Sequence, residues 1–141
     1  MAGTVANQVT TSIYGTYAYR YGFQSVDQYI YGWDNQDYIY SSSGNDYLFG
    51  YGGNDTITSG DGNDYIDGGT GNDYLSAGNG SDTLQGGSGA DLMYGGTGND
   101  FYYVDYANDK IYEYLNEGGN HYAHRHTPYC ACRKQGSPIA I

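Results

Sequence analysis

The chain has 141 residues, among them 24 Gly, 20 Tyr and 16 Asp or Glu against 5 Lys or Arg, for a formal charge of −11. That length holds one domain or part of a larger protein, and the Gly excess with only 2 Pro excludes collagen and argues against an ordinary helical domain. The acidity excludes nucleic acid as a partner, since little here neutralises phosphate, and it demands a counter-charge, without which the carboxylates repel one another and the chain stays unfolded.

Residues 1–31 form an N-terminal flank. Its first residues, Met1 to Gln8, lack the basic start and apolar stretch of a signal peptide. No apolar run approaches the ~20 residues needed to cross a bilayer, so no transmembrane segment is expected.

Residues 32–112 are periodic. Asp37, Asp46, Asp55, Asp64, Asp73, Asp82, Asp91, Asp100 and Asp109 follow one another at a spacing of nine. Asp makes up about a tenth of the chain, so chance alone would give this on the order of once in a billion. Two positions after each Asp stand Ile39, Leu48, Ile57, Ile66, Leu75, Leu84, Met93, Tyr102 and Ile111. Two positions before most of them stand Gly44, Gly53, Gly62, Gly71, Gly80, Gly89 and Gly98. The unit is Gly-Gly-x-Gly-x-Asp-x-apolar-x. Residues 68–76, 86–94 and 95–103 match it fully; 50–58, 59–67 and 77–85 each lack one Gly, and 41–49 lacks two. Units 32–40 and 104–112 are degenerate, as capping repeats are.

Nine residues cannot hold a helix and its connections. Six are turn formers, and x-apolar-x makes a very short strand whose middle side chain points in and whose neighbours point out. The expected fold is all-β, a parallel β-roll in which two units make one 18-residue coil. Units n and n+2 stack at roughly 4.8 Å, giving about four and a half coils and a height of roughly 20 Å. Tyr38, Tyr40, Tyr47, Tyr65, Tyr74, Tyr94 and Tyr103 face outward. The single file of aliphatic side chains is too thin to carry the fold by hydrophobic burial alone.

Beyond residue 112 the composition changes. Residues 113–141 hold no Asp but three of the five basic residues, Arg125, Arg133 and Lys134. His121, His124, His126, Cys130 and Cys132 are soft-metal ligand types, yet their spacing departs from the Cys-x₂-Cys and His-x₃₋₅-His of zinc sites. Two cysteines so close together are no disulfide framework. The segment is expected to be an exit segment followed by a disordered or non-native tail.

Stacking puts Asp37, Asp55, Asp73, Asp91 and Asp109 in one column and Asp46, Asp64, Asp82 and Asp100 in another. Carboxylates a few ångströms apart do not all ionise without a counter-charge. Glycines let the backbone adopt φ > 0 and turn carbonyls inward, here near Gly53, Gly62, Gly68, Gly71, Gly80, Gly86, Gly89 and Gly98. Carboxylates and carbonyls without His or Cys make an all-oxygen cage, the preference of Ca²⁺ rather than Mg²⁺. One ion between each adjacent pair gives several Ca²⁺, at most about seven.

These units resemble the RTX, or hemolysin-type, calcium-binding repeat, closely over residues 32–112. Residues 8–32 resemble the strand-rich lead-in of such arrays, and 99–118 the exit segment. The resemblance implies a parallel β-roll with each ion held between stacked turns by the repeat Asp and the glycine-turn carbonyls. It also implies a secreted or cell-surface protein, exported by a type I secretion machinery and folded outside by calcium. Large relatives often carry the array as the non-catalytic part of a secreted toxin or hydrolase.

Two other functions compete. The outward Tyr series is either a structural ladder, as strand Tyr residues commonly form, or a calcium-dependent adhesive face for a cell surface or carbohydrate. The single Thr56-x-Thr58 pair is too little for an ice-binding face. The chain is not expected to be an enzyme: His-Glu-x-x-His, Gly-x-Ser-x-Gly and Gly-x-x-x-x-Gly-Lys-Ser/Thr are absent, and no His lies in the array. Any catalytic domain would lie outside this chain.

Overall fold

The computed structural model describes residues 26–113 together with the strand segments Val9–Ser12, Tyr122–Arg125 and Arg133–Lys134. His121, His126, Cys130 and Cys132 lie outside the described residues, and His124 is described only by its backbone.

Among the described residues thirteen strands run in chain order: β1 (Val9–Ser12), β2 (Gln28–Tyr31), β3 (Tyr38–Tyr40), β4 (Tyr47–Phe49), β5 (Thr56–Asp61), β6 (Tyr65–Thr70), β7 (Tyr74–Asn79), β8 (Thr83–Ser88), β9 (Leu92–Thr97), β10 (Phe101–Val104), β11 (Lys110–Glu113), β12 (Tyr122–Arg125) and β13 (Arg133–Lys134). From β2 onward successive strands alternate between two parallel sheets, and β1 pairs with β2. One sheet has the order β1-β2-β4-β6-β8-β10-β12, the other β13-β11-β9-β7-β5-β3. Within the repeat array each strand pairs with the strand one coil away, so Ile57 faces Leu75, Leu75 faces Met93, and Ile66 faces Leu84. The chain is therefore a β-solenoid of 18-residue coils, the β-roll that the nine-residue period implies.

Alternation within the strands builds the core. Ile39, Leu48, Ile57, Ile66, Leu75, Leu84 and Met93 are fully buried, and Tyr102, Val104 and Ile111 close the file at one end. A fully buried aliphatic side chain contributes about 1.5–3 kcal/mol, and both sheets supply such side chains to the core. Ile30 on β2 joins the same file and pairs with Leu48, so the stack takes in the strand before Asp37.

Strands β5 to β9 are six residues long rather than three. The pairing runs on through the first residues of the next unit, where Gly60 faces Gly78 and Gly69 faces Gly87. Parallel neighbours of identical shape stay in register through these residues, which turn propensity alone would assign to loops.

Outside the core the aromatic side chains stack along the sheet faces. Tyr29 and Tyr47 lie 4.7 Å apart at 3°, Tyr31 and Phe49 5.3 Å apart at 9°, and Tyr94 and Tyr112 4.9 Å apart at 13°. These are cross-strand pairs, the unit of sheet stabilisation. Among the described residues no helix is long and apolar enough to cross a membrane.

Candidate metal centre

The site begins with the loops. After each six-residue strand the chain turns at the fourth-position Gly and presents Asp at the entrance to the next strand. Gly71 shows why no other residue serves: its φ is +136°, and a Cβ there would collide with the carbonyl oxygen of Gly53 in the preceding coil. The same carbonyl-to-glycine approach joins Gly62 to Gly80, Gly71 to Gly89 and Gly80 to Gly98. These carbonyls thus point along the stack toward the next loop.

All nine repeat Asp residues are between 0 and 3% exposed. Carboxylates are almost never that buried unless something pairs with them. Two ladders hold them. The backbone N–H of Asp37 donates to Asp55 Oδ1, that of Asp55 to Asp73, Asp73 to Asp91 and Asp91 to Asp109, over 2.8–3.1 Å. On the other edge Asp46 donates to Asp64, Asp64 to Asp82 and Asp82 to Asp100, over 2.8–3.0 Å. The two columns expected from the period are both present.

In seven of these residues the second carboxylate oxygen meets no donor of the protein. Asp37 Oδ1 and the Oδ2 atoms of Asp46, Asp55, Asp64, Asp73, Asp82 and Asp91 are buried without a hydrogen-bond partner. Leaving such an atom unsatisfied costs about 1–3 kcal/mol, and more for a charged group. Gly68 shows what surrounds one of them. A Cβ at Gly68 would lie 2.5 Å from Asp73 Oδ2 and 2.7 Å from the Gly86 carbonyl oxygen. The open oxygen thus shares a small space with a carbonyl of the next coil.

The electrostatics say the same. Burial pushes the carboxyls of Asp55, Asp82 and Asp91 up to about 7 and that of Asp73 up to about 6, against an ordinary 3.8. Backbone N–H donors ease the shift, and neighbouring carboxylates add to it. Asp46, Asp64 and Asp109 are raised as well, again first by burial. Residues 26–112 contain 14 Asp and a single basic residue, the exposed Lys110. A hard cation fits the donor set, which is carboxylate and carbonyl oxygen throughout.

Three features escaped the sequence. First, the Asn before the repeat Asp has its own ladder. Asn45 Oδ1 accepts from the N–H of Asn63, Asn63 Oδ1 from Ser81, Asn54 Oδ1 from Asn72 and Asn72 Oδ1 from Ala90, all at 2.8 Å. Its signal was the repeated Asn-Asp pair. Second, the two columns differ. The column of Asp55, Asp73 and Asp91 has Gly50, Gly68 and Gly86 at the first position of its units, whereas in the other Asp46, Asp64 and Asp82 have Ser41, Ser59 and Ala77, and only Asp100 has a glycine, Gly95. Ser41 Oγ donates to the Ser59 carbonyl and Ser59 Oγ to the Ala77 carbonyl, at 2.8 and 2.9 Å. Comparing alternate units would have found this. Third, Asp105, outside the period, lies with Asp91 and Asp109.

The family profile of the RTX calcium-binding nonapeptide repeat matches four times, over residues 29–48, 40–75, 67–102 and 76–111. These matches cover more than half of the chain and coincide with the stacked coils. No curated relative and no solved structure matches it.

Proposed function

The chain belongs to the RTX calcium-binding nonapeptide repeat family, and from that premise we propose that calcium is the missing half of its core. RTX repeats bind Ca²⁺, and their β-roll is a structural module rather than a catalytic one. In our reading Asp37, Asp46, Asp55, Asp64, Asp73, Asp82, Asp91, Asp100 and Asp109 supply carboxylate ligands. Carbonyls near Gly53, Gly62, Gly68, Gly71, Gly80, Gly86, Gly89 and Gly98 supply the rest, to at most about seven ions.

The observation that carries this is the row of buried, unpartnered Asp oxygens in a region with one basic side chain. Extracellular calcium modules bind at ~10⁻⁴–10⁻³ M. Such sites are empty in a low-calcium cytosol and filled outside, so binding to the folded state alone becomes folding free energy. The function is therefore calcium-driven folding of a secreted or cell-surface protein after type I export, with residues 32–112 as the array. Any catalytic domain of a larger toxin or hydrolase lies outside this chain.

Calorimetric calcium titration of the chain with Asp73→Ala and Asp82→Ala tests the assignment, one substitution per column. Each variant should lose calcium stoichiometry and folding. If both bind and fold as the parent does, the ligand assignment is wrong.

One observation favours a second reading, an adhesive face. Tyr31, Gly32, Trp33, Asp34 and Tyr51 line an open cleft of about 470 Å³. Tyr51 has φ 72°, where the next five units have Gly60, Gly69, Gly78, Gly87 and Gly96. Backbone strain kept at one place is a pointer to function. A glycan-binding assay comparing the chain with Trp33→Ala, in calcium, decides it; no binding by either removes this reading.

A further inference from the structure

The last unit, residues 104–112, has none of the repeat glycines: Val104, Asp105 and Ala107 stand in their places. Its loop is built differently. In the interior units of the same column, which begin with Gly50, Gly68 and Gly86, the first position has no room for a side chain; a Cβ at Gly86 would strike Asp91. Val104 has a side chain and buries it in the core. Asp109 correspondingly turns to its own loop, where Oδ2 accepts from the Tyr106 N–H at 3.0 Å while Oδ1 accepts from Asp91 at 3.1 Å. The Asp109 N–H closes the turn on the Tyr106 carbonyl at 3.2 Å. This loop lacks the glycine geometry that aims carbonyls at a neighbouring coil.

A carboxylate stands there instead. One oxygen each from Asp91, Asp105 and Asp109 lies within 4.8 Å of the others. Two ligands on opposite sides of a calcium ion, each at about 2.4 Å, are separated by about that distance. Asp91 is 1% exposed, and its Oδ2 has no hydrogen-bond partner. Asp105 is exposed, so a cation reaches the group from solvent without any movement of the coils.

We propose that Asp91, Asp105 and Asp109 form a terminal Ca²⁺ site in which the Asp105 side chain replaces the loop carbonyls of the interior sites. The inference rests on the calcium-binding function proposed above. Interior carboxylates are shared between successive ions along a column, whereas Asp105 belongs to one ion alone. Affinity in oxygen-ligand sites rises with the number of charged ligands. The terminal site therefore fills at lower calcium than the interior ones.

Native mass spectrometry to count ions, with calorimetric titration for affinity, tests this on the full chain, Asp105→Asn and Asp73→Asn. Altering groups that merely orient metal ligands costs about 10–100-fold in affinity, so Asp105→Asn should weaken the tightest phase by about tenfold or more. The ion count at low calcium falls by one, while the later phases and the circular-dichroism spectrum in saturating calcium stay those of the parent. A titration of Asp105→Asn that superimposes on the parent while Asp73→Asn loses calcium overturns the terminal site alone. If Asp73→Asn superimposes as well, the calcium ladder itself fails. Should Asp105→Asn not fold in calcium, folding by Asp105→Glu supports a need for the carboxylate, and failure of both overturns it.

Discussion

Without calcium, raising the pH should unfold this chain; with calcium, raising the pH should stabilise it. The carboxyls of Asp55, Asp82 and Asp91 sit near 7 in the folded chain against an ordinary 3.8. The folded state therefore holds more protons than the unfolded state between about pH 4 and pH 7. For an acid raised in this way, stability is greatest below the unfolded value and is lost as pH climbs through the folded one. From about pH 5 to pH 7 each such group withdraws on the order of 2 kcal/mol. Three groups of that size, with Asp73 adding less, are comparable to the lower end of the ~5–15 kcal/mol that stabilises a typical domain. Calcium at a hundredfold above its dissociation constant returns about 2.7 kcal/mol per site, comparable to one carboxyl's loss. Once ions are bound the sign reverses, because protonation now displaces a ligand. The assay is urea denaturation followed by far-ultraviolet circular dichroism, on calcium-stripped chain and in about 10 mM Ca²⁺. It runs from about pH 5 upward, clear of the isoelectric point near 4.1. A calcium-free midpoint that is the same at both ends of the range would refute the reasoning, as would a calcium-loaded midpoint that falls with rising pH.

Two further predictions test the stacking itself. Gly71→Ala places a methyl group against the Gly53 carbonyl at a φ of +136°, so it should cost about 1–3 kcal/mol or more, read from the urea midpoint in calcium; a change within error would mean that the coils are not this close. Asn63→Ala removes the acceptor of the Ser81 N–H and should cost about 1 kcal/mol or less, since the site is exposed to water. Hydrogen exchange at Ser81 should speed up in that variant, and unchanged protection there would mean that the ladder bond does not form.

The nine-residue period makes the coils, the two columns and the inward file legible in the sequence, because a repeat that stacks on itself converts spacing directly into contact. The Ile57–Leu75–Met93 line follows from counting alone. Asp105 does not, because its place beside Asp91 depends on how an atypical loop folds, and no periodicity extends to it. The length of β5 to β9 is hidden for a related reason: Gly-Gly reads as a turn in isolation, and only a neighbouring coil of the same shape turns it into paired strand. The counter-charge demanded by a net −11 is legible as a need, but the spacing does not show which oxygen of each Asp is left open. That follows from the ladder, which uses Oδ1 and leaves Oδ2.

The two ladders run in opposite directions, and this bears on how the stack grows. Each interior Asp accepts from the coil before it, as Asp73 does from Asp55. Each Asn accepts from the coil after it, as Asn54 does from Asn72. An isolated coil therefore satisfies neither set, and every interior bond of this kind spans 18 residues. In a one-dimensional stack, stability then lies mostly in the interfaces between neighbours rather than in the repeats themselves. The column ends break the rule. Asp37 Oδ2 accepts from the Trp33 N–H four residues away at 2.6 Å, and Asp109 Oδ2 from the Tyr106 N–H three residues away. Those contacts need no other coil, and short-range contacts form with the smallest loop-closure cost. Asp37 and Asp109 are thus each oriented by their own loop, whereas the other ladder bonds, and the proposed terminal site with Asp91, need two coils to meet.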